Sequence, residues 1–246
     1  MHYVISDIHG NYEKYIALLE KIEFSEEDTL FILGDVIDRG PDGIKVLQDM
    51  MMRSNVFPIL GNHEYMALSS LAVLMDEITE ESVGKMDEEA INQPFLWMAN
   101  GGEPTMDAFF GLSQEDKVAV LEYLEEFDIF MELQCGDKNF VLVHGSLGSF
   151  DFDPAKPLEE YDLDELLFER ADYNKVYFPD KYLVTGHTPT RVIHARERGL
   201  LYRELCPTKY VDEVYMKNNH IAIDCGCVYG GQLAAICLET LEVFYV

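Results

Sequence analysis

No apolar run in this sequence approaches the ~18 residues that a membrane span needs. The residues after Met1 are strand-like and lack the basic and then apolar stretch of a secretory leader, so a cytoplasmic protein is expected. Cysteine is scarce: five residues, an odd number, with no Cys-x-x-Cys pair. That fits neither a disulfide framework nor a zinc finger, and leaves buried reduced thiols as the expectation. Basic residues are few as well. Eighteen Lys and Arg stand against 46 Asp and Glu, a net charge of −28. This argues against a protein that coats nucleic acid or lies on an anionic membrane, because both would repel such a surface. A small local anion site remains compatible with that charge. Linkers rich in Pro, Gly and Ser are missing and nothing repeats, so residues 1–246 are expected to form one domain.

What is present is enough for a core, with 48% hydrophobic residues. Short β-rich runs lie at 3–5, 30–33, 56–60, 140–143 and 182–184, each ending at Gly, Asp or His. Helical periodicity separates the first ones: Tyr15, Ile16, Leu19 and Ile22; then Ile44, Leu47, Met50 and Met51; then Leu68, Leu71, Met75 and Ile78. The chain therefore begins β-α-β-α-β-α. Ser113, with Asp116 three residues on, predicts a capped helix carrying Val118, Leu121, Leu124 and Phe127 on one face. After His187, strand-like runs at 221–223, 233–238 and 243–246 point to a second sheet packed on the first. Two acidic stretches, 76–89 and 149–165, read as solvated surface caps. Four of the seven arginines cluster in 191–203, against the overall charge.

Chemistry-bearing residues stand just past the strands. Asp7 and His9 follow the first, and extended backbone would put both on one face. Asp35 follows the second, Asn62 and His63 the third, and His144 and His187 the runs at 140–143 and 182–184. Each alone reads as a turn or cap residue. Five strands delivering such side chains past their carboxyl ends, where open α/β sheets bind ligands, read as one site. Asp7, Asp35 and Asp38 brought together would repel one another without cations. Mixed carboxylate, imidazole and amide donors suit first-row ions better than calcium.

The segments SDIHG at 6–10, GDVIDRG at 34–40, GNHE at 61–64, His144-Gly145 and Gly186-His187 resemble, in this order, the signature of calcineurin-like metallophosphoesterases. Serine/threonine phosphoprotein phosphatases are the subset they are most similar to. The segment WMANGGEPT at 97–105 is also similar to bacterial protein phosphatases and symmetrical diadenosine tetraphosphatases, as is Asp224-Cys225-Gly226 with its following glycines. The resemblance implies an α/β (α+β) fold, a β-sandwich of two mixed sheets flanked by helices, with a helical cap or insertion around 76–130. It implies two divalent metal ions, manganese first, with iron or zinc compatible. Asp7, His9 and Asp35 would hold one; Asp35, Asn62, His144 and His187 would hold the other. His63 would be the general acid, oriented by Asp38, and Arg39 and Arg170 would grip the phosphate, with Asn62 also facing substrate. Tyr229, by its own place in the turn after the strand-like run at 221–223, is a candidate to line the cleft, with core packing as the alternative. Phe168-Glu169-Arg170 and Ser146 depart from the usual Trp-x-Arg and His-Gly-Gly.

The activity implied is phosphoester hydrolysis by a hydroxide shared between the metals. A phosphorylated serine or threonine protein is the first substrate class. A dinucleoside polyphosphate is the alternative, for which Arg191, Arg196, Arg198 and Arg203 would offer extra cations. A non-catalytic metal-binding scaffold is disfavoured, because every ligand and the acid are in place.

Overall fold

Side chains alternate along the short strands of this chain, and the alternation builds a core on each face of two sheets. The computed structural model describes residues 1–75, 88–148, 152–197, 199 and 212–246. In the first sheet β1 (His2–Ile5), β2 (Thr29–Ile32) and β3 (Val56–Pro58) run parallel. The second sheet holds β4 (Phe130–Cys135), β5 (Lys138–Val143), β6 (Tyr182–Thr185), β7 (Tyr215–Lys217) and β8 (His220–Ala222) in the order β4-β5-β6-β8-β7. β5, β6 and β8 are parallel to one another. The last strands, β9 (Ala234–Cys237) and β10 (Val243–Tyr245), return to the first sheet and complete the order β10-β9-β1-β2-β3. Val4, Phe31, Leu33, Phe140, Leu142, Val184, Ile221 and Ile236 form the layer between the sheets. Their neighbours Tyr3, Ile5, Leu30, Ile32, Val141 and Val143 face outwards into a larger core shared with the helices.

The helices follow their local signals. Asn11 caps α1 (Tyr12–Lys21) by accepting the Lys14 N–H at 3.2 Å. Then come α2 (Gly43–Met51), α3 (Asn62–Met75), α4 (Glu88–Ala99) and α5 (Glu103–Phe110). Ser113 Oγ accepts the Asp116 N–H at 3.1 Å and starts α6 (Gln114–Glu125), as its sequence predicts. α7 (Leu163–Leu167) and α8 (Thr190–Glu197) complete the set among the described residues. The opening β-α-β-α-β-α order holds.

Three expectations are corrected. The segment after His187 does not make a sheet of its own: β8 joins strands from the middle of the chain, while β9 and β10 close the first sheet. Two strands escape the sequence pattern. β4 is a half-exposed edge with polar residues between its apolar ones, and β7 is only three residues long. The acidic stretch 149–165 is more than a solvated cap, since Leu158 and Tyr161 are buried. Most of the acidic stretch 76–89, together with Arg198, Arg203 and Cys206, lies outside the described residues. The four described cysteines are free and buried.

Candidate metal centre

The loops that leave β1, β2 and β3 are laced together before any side chain is considered. Backbone N–H groups of Asp7, His9 and Gly10 donate to the carbonyls of Gly34, Asp35 and Val36 at 3.1, 2.8 and 2.7 Å. Glu64, in the first turn of α3, joins them to the next loop. Its buried carboxylate accepts from the N–H groups of Gly61, Asp35, Val36 and Ile37 at 2.8–3.2 Å. Burial, with Asp35 beside it, pushes its carboxyl up to about 7, against the donors that favour the charged form.

The resulting backbone is left-handed at six of the candidate residues: Asp7, His9, Asp35, Asp38, Arg39 and His187, with φ between 46° and 69°. Each costs about 1–2 kcal/mol and is held by the surrounding hydrogen bonds. This corrects the expectation for the first pair. Asp7 and His9 share a face because the chain turns there, not because a strand continues. Gly186 must be glycine for a different reason: a Cβ would collide with Ser6 Oγ and Asp7 Oδ2.

The imidazoles of buried His9 and His144 and half-buried His187 converge with one nitrogen each turned inwards. His9 Nδ1 lies 3.0 Å from Ile37 O, His144 Nδ1 2.6 Å from Leu33 O, and His187 Nε2 3.1 Å from Phe168 O. A carbonyl only accepts, so each of those nitrogens carries the proton and the other ring nitrogen presents a lone pair. His9 Nε2 then faces Asp35 Oδ2 at 3.5 Å, and His144 Nε2 faces Asp35 Oδ1 at 3.4 Å. His144 Nε2 and His187 Nδ1 each approach Asn62 Oδ1 to 3.0 Å. Burial keeps the rings neutral, holding His9 and His187 down at about 3, with His144 lowered too. Lone pairs of neutral rings therefore point at carboxylate and amide oxygens, and that of His9 also meets Arg39 Nη1. Burial and the neighbouring Asp224 and Asp35 raise the Asp7 carboxyl well above its usual range. Such a set of acceptors is short of positive charge, and divalent cations supply it. His9, Asp35 and His63, and separately Asp35, His144 and His187, bring ligand atoms within 4.8 Å of one another, with Asp35 common to both groups. The donors fit a pair of cations.

The remaining predicted residues surround this cluster. His63 Nδ1 donates to Asp38 Oδ2 at 2.7 Å, and its buried Nε2 has no hydrogen-bond partner among the described residues. Burial disfavours charge on this ring, but Asp35 and Asp38 outweigh it and raise its pKa. Arg39 Nη1 reaches His9 Nε2 at 2.5 Å, and its guanidinium lies 5.5 Å from the centre of the Tyr229 ring. Asp35, Arg39, Asn62, Arg170, His187 and Tyr229 all line one cleft of about 820 Å³. Beside Ser146, where the family pattern has a second glycine, the Gly145 N–H donates to Leu166 O at 2.7 Å.

The arginine-rich segment divides. Arg196 lines the same cleft. Arg191 instead makes a bidentate ion pair with Asp212, at 2.7 and 2.6 Å, and packs against Gly226. Sequence reasoning assigned no role to four residues that shape the site. Glu64 stood inside the GNHE motif. Trp97 donates from Nε1 to Asp38 Oδ2 at 2.8 Å, and Thr105 Oγ1 accepts the Asp38 N–H at 2.9 Å. Asp224 lines the cleft past the end of β8, its carboxyl pushed by burial up to about 7. The rule that singled out the other strand ends would have found it.

An α/β sandwich of two mixed sheets, with such a cluster past the ends of its parallel strands, has the architecture of a metallophosphoesterase. The model of the calcineurin-like phosphoesterase family matches residues 3–234, and the chain belongs to that family. It is 28% identical to serine/threonine-protein phosphatase 1 of Salmonella typhimurium over 94% of this chain and 88% of that protein. It is 27% identical to a symmetrical bis(5'-nucleosyl)-tetraphosphatase of Neisseria gonorrhoeae over 100% and 95%. A higher identity, 43%, to the tetraphosphatase of Wigglesworthia glossinidia brevipalpis spans only 39% of this chain and 34% of that protein. Among solved structures, one provisionally described as a diadenosine tetraphosphatase covers 100% of this chain and 92% of its own at a TM-score of 0.60 and 18% identity. The metallophosphoesterase of Sphaerobacter thermophilus covers 99% and 86% at 0.52 and 17%. The two solved structures share its fold.

Proposed function

We propose that this metallophosphoesterase hydrolyses phosphoserine or phosphothreonine esters, and that manganese is its metal. The observation that carries this reading is the His63–Asp38 pair. Asp38 takes the Nδ1–H of His63 and is itself held by Trp97, so Nε2 is aimed towards the cluster. A serine or threonine alkoxide is a poor leaving group that must be protonated as it departs, and a positioned acid contributes about 10²–10⁴-fold. A nucleotide leaving from a phosphoanhydride has no such need.

In this reading Asp7, His9 and Asp35 hold one cation, and Asp35, Asn62, His144 and His187 the other. When bound, the paired cations would neutralise phosphoryl charge and acidify a water towards neutral pH. Arg39 and Arg170 grip the non-bridging oxygens, for which the planar guanidinium fork is suited. Tyr229 restricts the sweep of Arg39 and faces the substrate. His63 delivers its proton from Nε2 to the departing oxygen. Residues 1–246 act as one domain, with α4 to α6 as its cap.

A second reading, a dinucleoside polyphosphate hydrolase, is favoured by one observation: Arg196 lines the cleft together with the apolar Val192 and Ala195. Measuring kcat/KM for a phosphothreonine peptide and for diadenosine tetraphosphate side by side tests the choice. The peptide is expected to be the better substrate; the reverse order overturns the first reading in favour of the second.

A further inference from the structure

A second group of donors lies at the other end of β1 from the centre above, and the proposed reaction does not use it. His2 opens β1, Cys135 ends β4, Cys237 ends β9, and Glu239 stands in the turn after β9. His2 Nδ1 lies 2.7 Å from Glu239 Oε1, and the His2 N–H donates to Glu239 Oε2 at 3.1 Å. Cys237 Sγ is 3.4 Å from that same Oε2. A ring nitrogen of His2, the sulfur of Cys135 and a carboxylate oxygen of Glu239 fall within 4.8 Å of one another.

We propose that His2, Cys135 and Glu239 form a site for one thiophilic divalent cation, zinc by its donor chemistry, which ties the two sheets together at this end. Tetrahedral zinc, with Zn–N of ~2.0 Å and Zn–S of ~2.3 Å, sets its ligands about 3.5 Å apart. Closing the group onto a cation therefore takes side-chain rotations of about an ångström and no rearrangement of the strands. A thiol with an imidazole and a carboxylate favours zinc over manganese, magnesium or calcium. The exposures give the site a floor and a mouth: Cys135 and Cys237 are each 2% exposed, whereas the side chains of His2 and Glu239 are 41% and 26% exposed. No two of the three segments are near in sequence, so no Cys/His spacing announces the site.

Cobalt titration of the chelator-stripped full chain, under reducing conditions, tests this without reference to activity. A thiolate-to-cobalt charge-transfer band should appear in the near ultraviolet, reach the intensity of one sulfur-ligated ion per chain and bleach on adding zinc. The donors proposed for the catalytic centre contain no sulfur and cannot produce it. Cys135→Ser should abolish the band. Because that position is buried, His2→Gln serves as the second variant: with an unchanged far-ultraviolet circular dichroism spectrum, it should weaken the cobalt affinity of the band by about tenfold or more. No band in the wild-type chain, a band that survives Cys135→Ser, or an unchanged affinity in His2→Gln would each overturn the site.

Discussion

Asp35 and His63 are neighbours in the cluster but have separable tasks, so replacing each should fail in its own way. Both Asp35 oxygens face inward lone pairs, Oδ1 towards His144 and Oδ2 towards His9. Asp35→Asn removes the charge common to both donor groups and is expected to lose bound metal along with rate, read by elemental analysis beside kcat. His63→Asn should keep both metals. It should lose about 10²–10⁴-fold on alkyl phosphates and much less on aryl phosphates, whose leaving groups need little protonation. Equal losses on the two substrate types would end the assignment of His63 as the acid. The motifs GDVIDRG and GNHE made the two residues visible in the sequence. The partners of Asp38 were not, because Trp97 and Thr105 reach it only after α4 and α5 fold back over the loop beyond β2.

At the scale of the element, α8 presents two arginines with different fates. Arg191 is 15% exposed and its partner Asp212 7%, so Arg191→Gln leaves a largely buried carboxylate without its fork. A loss of about 1–3 kcal/mol in stability is expected, read by urea denaturation. Arg196 lines the cleft, and Arg196→Gln should lower kcat/KM for dinucleoside polyphosphates about tenfold more than for a phosphopeptide if that side chain holds a distal phosphate. A loss shared equally by both substrates would tie Arg196 to the hydrolytic step. From the sequence the arginines of 191–203 form a single group, since nothing local distinguishes residues five apart on one helix.

For the molecule as a whole, two dependences are expected. Exhaustive chelation should abolish hydrolysis of an aryl phosphate and manganese should restore it; full activity in a chain verified as metal-free would refute the proposed chemistry. The second concerns acid stability. His220 is buried, with its Nε2 2.9 Å from Thr185 Oγ1, and burial lowers its pKa from 6.5 to about 3. The folded state therefore refuses a proton that the unfolded chain accepts below pH 6.5. That contribution is fully present above pH 6.5 and is lost as pH falls towards 3, amounting to about 2 kcal/mol by pH 5. His220→Gln should remove this part of the acid sensitivity. Denaturation midpoints at pH 7.5 and pH 5, compared between the two chains, check it, and an identical pH dependence would contradict it.

The sequence alone determined the chemistry on offer: which donors exist, that they stand just past β1, β2, β3, β5 and β6, and that helices separate the first three strands. Those are short-range matters of residue type and period, and the surrounding chain alters them little. Only the tertiary structure decided which nitrogen of each histidine turns inwards, since that depends on carbonyls as remote as Leu33 from His144 and Phe168 from His187. It also decided that the last strands complete the first sheet, that Glu64 sews two loops together, and that His2, Cys135 and Glu239 meet at all. Each of these pairings joins segments far apart along the chain. Burial across two sheets brings them together, and no local pattern encodes where that burial places a side chain.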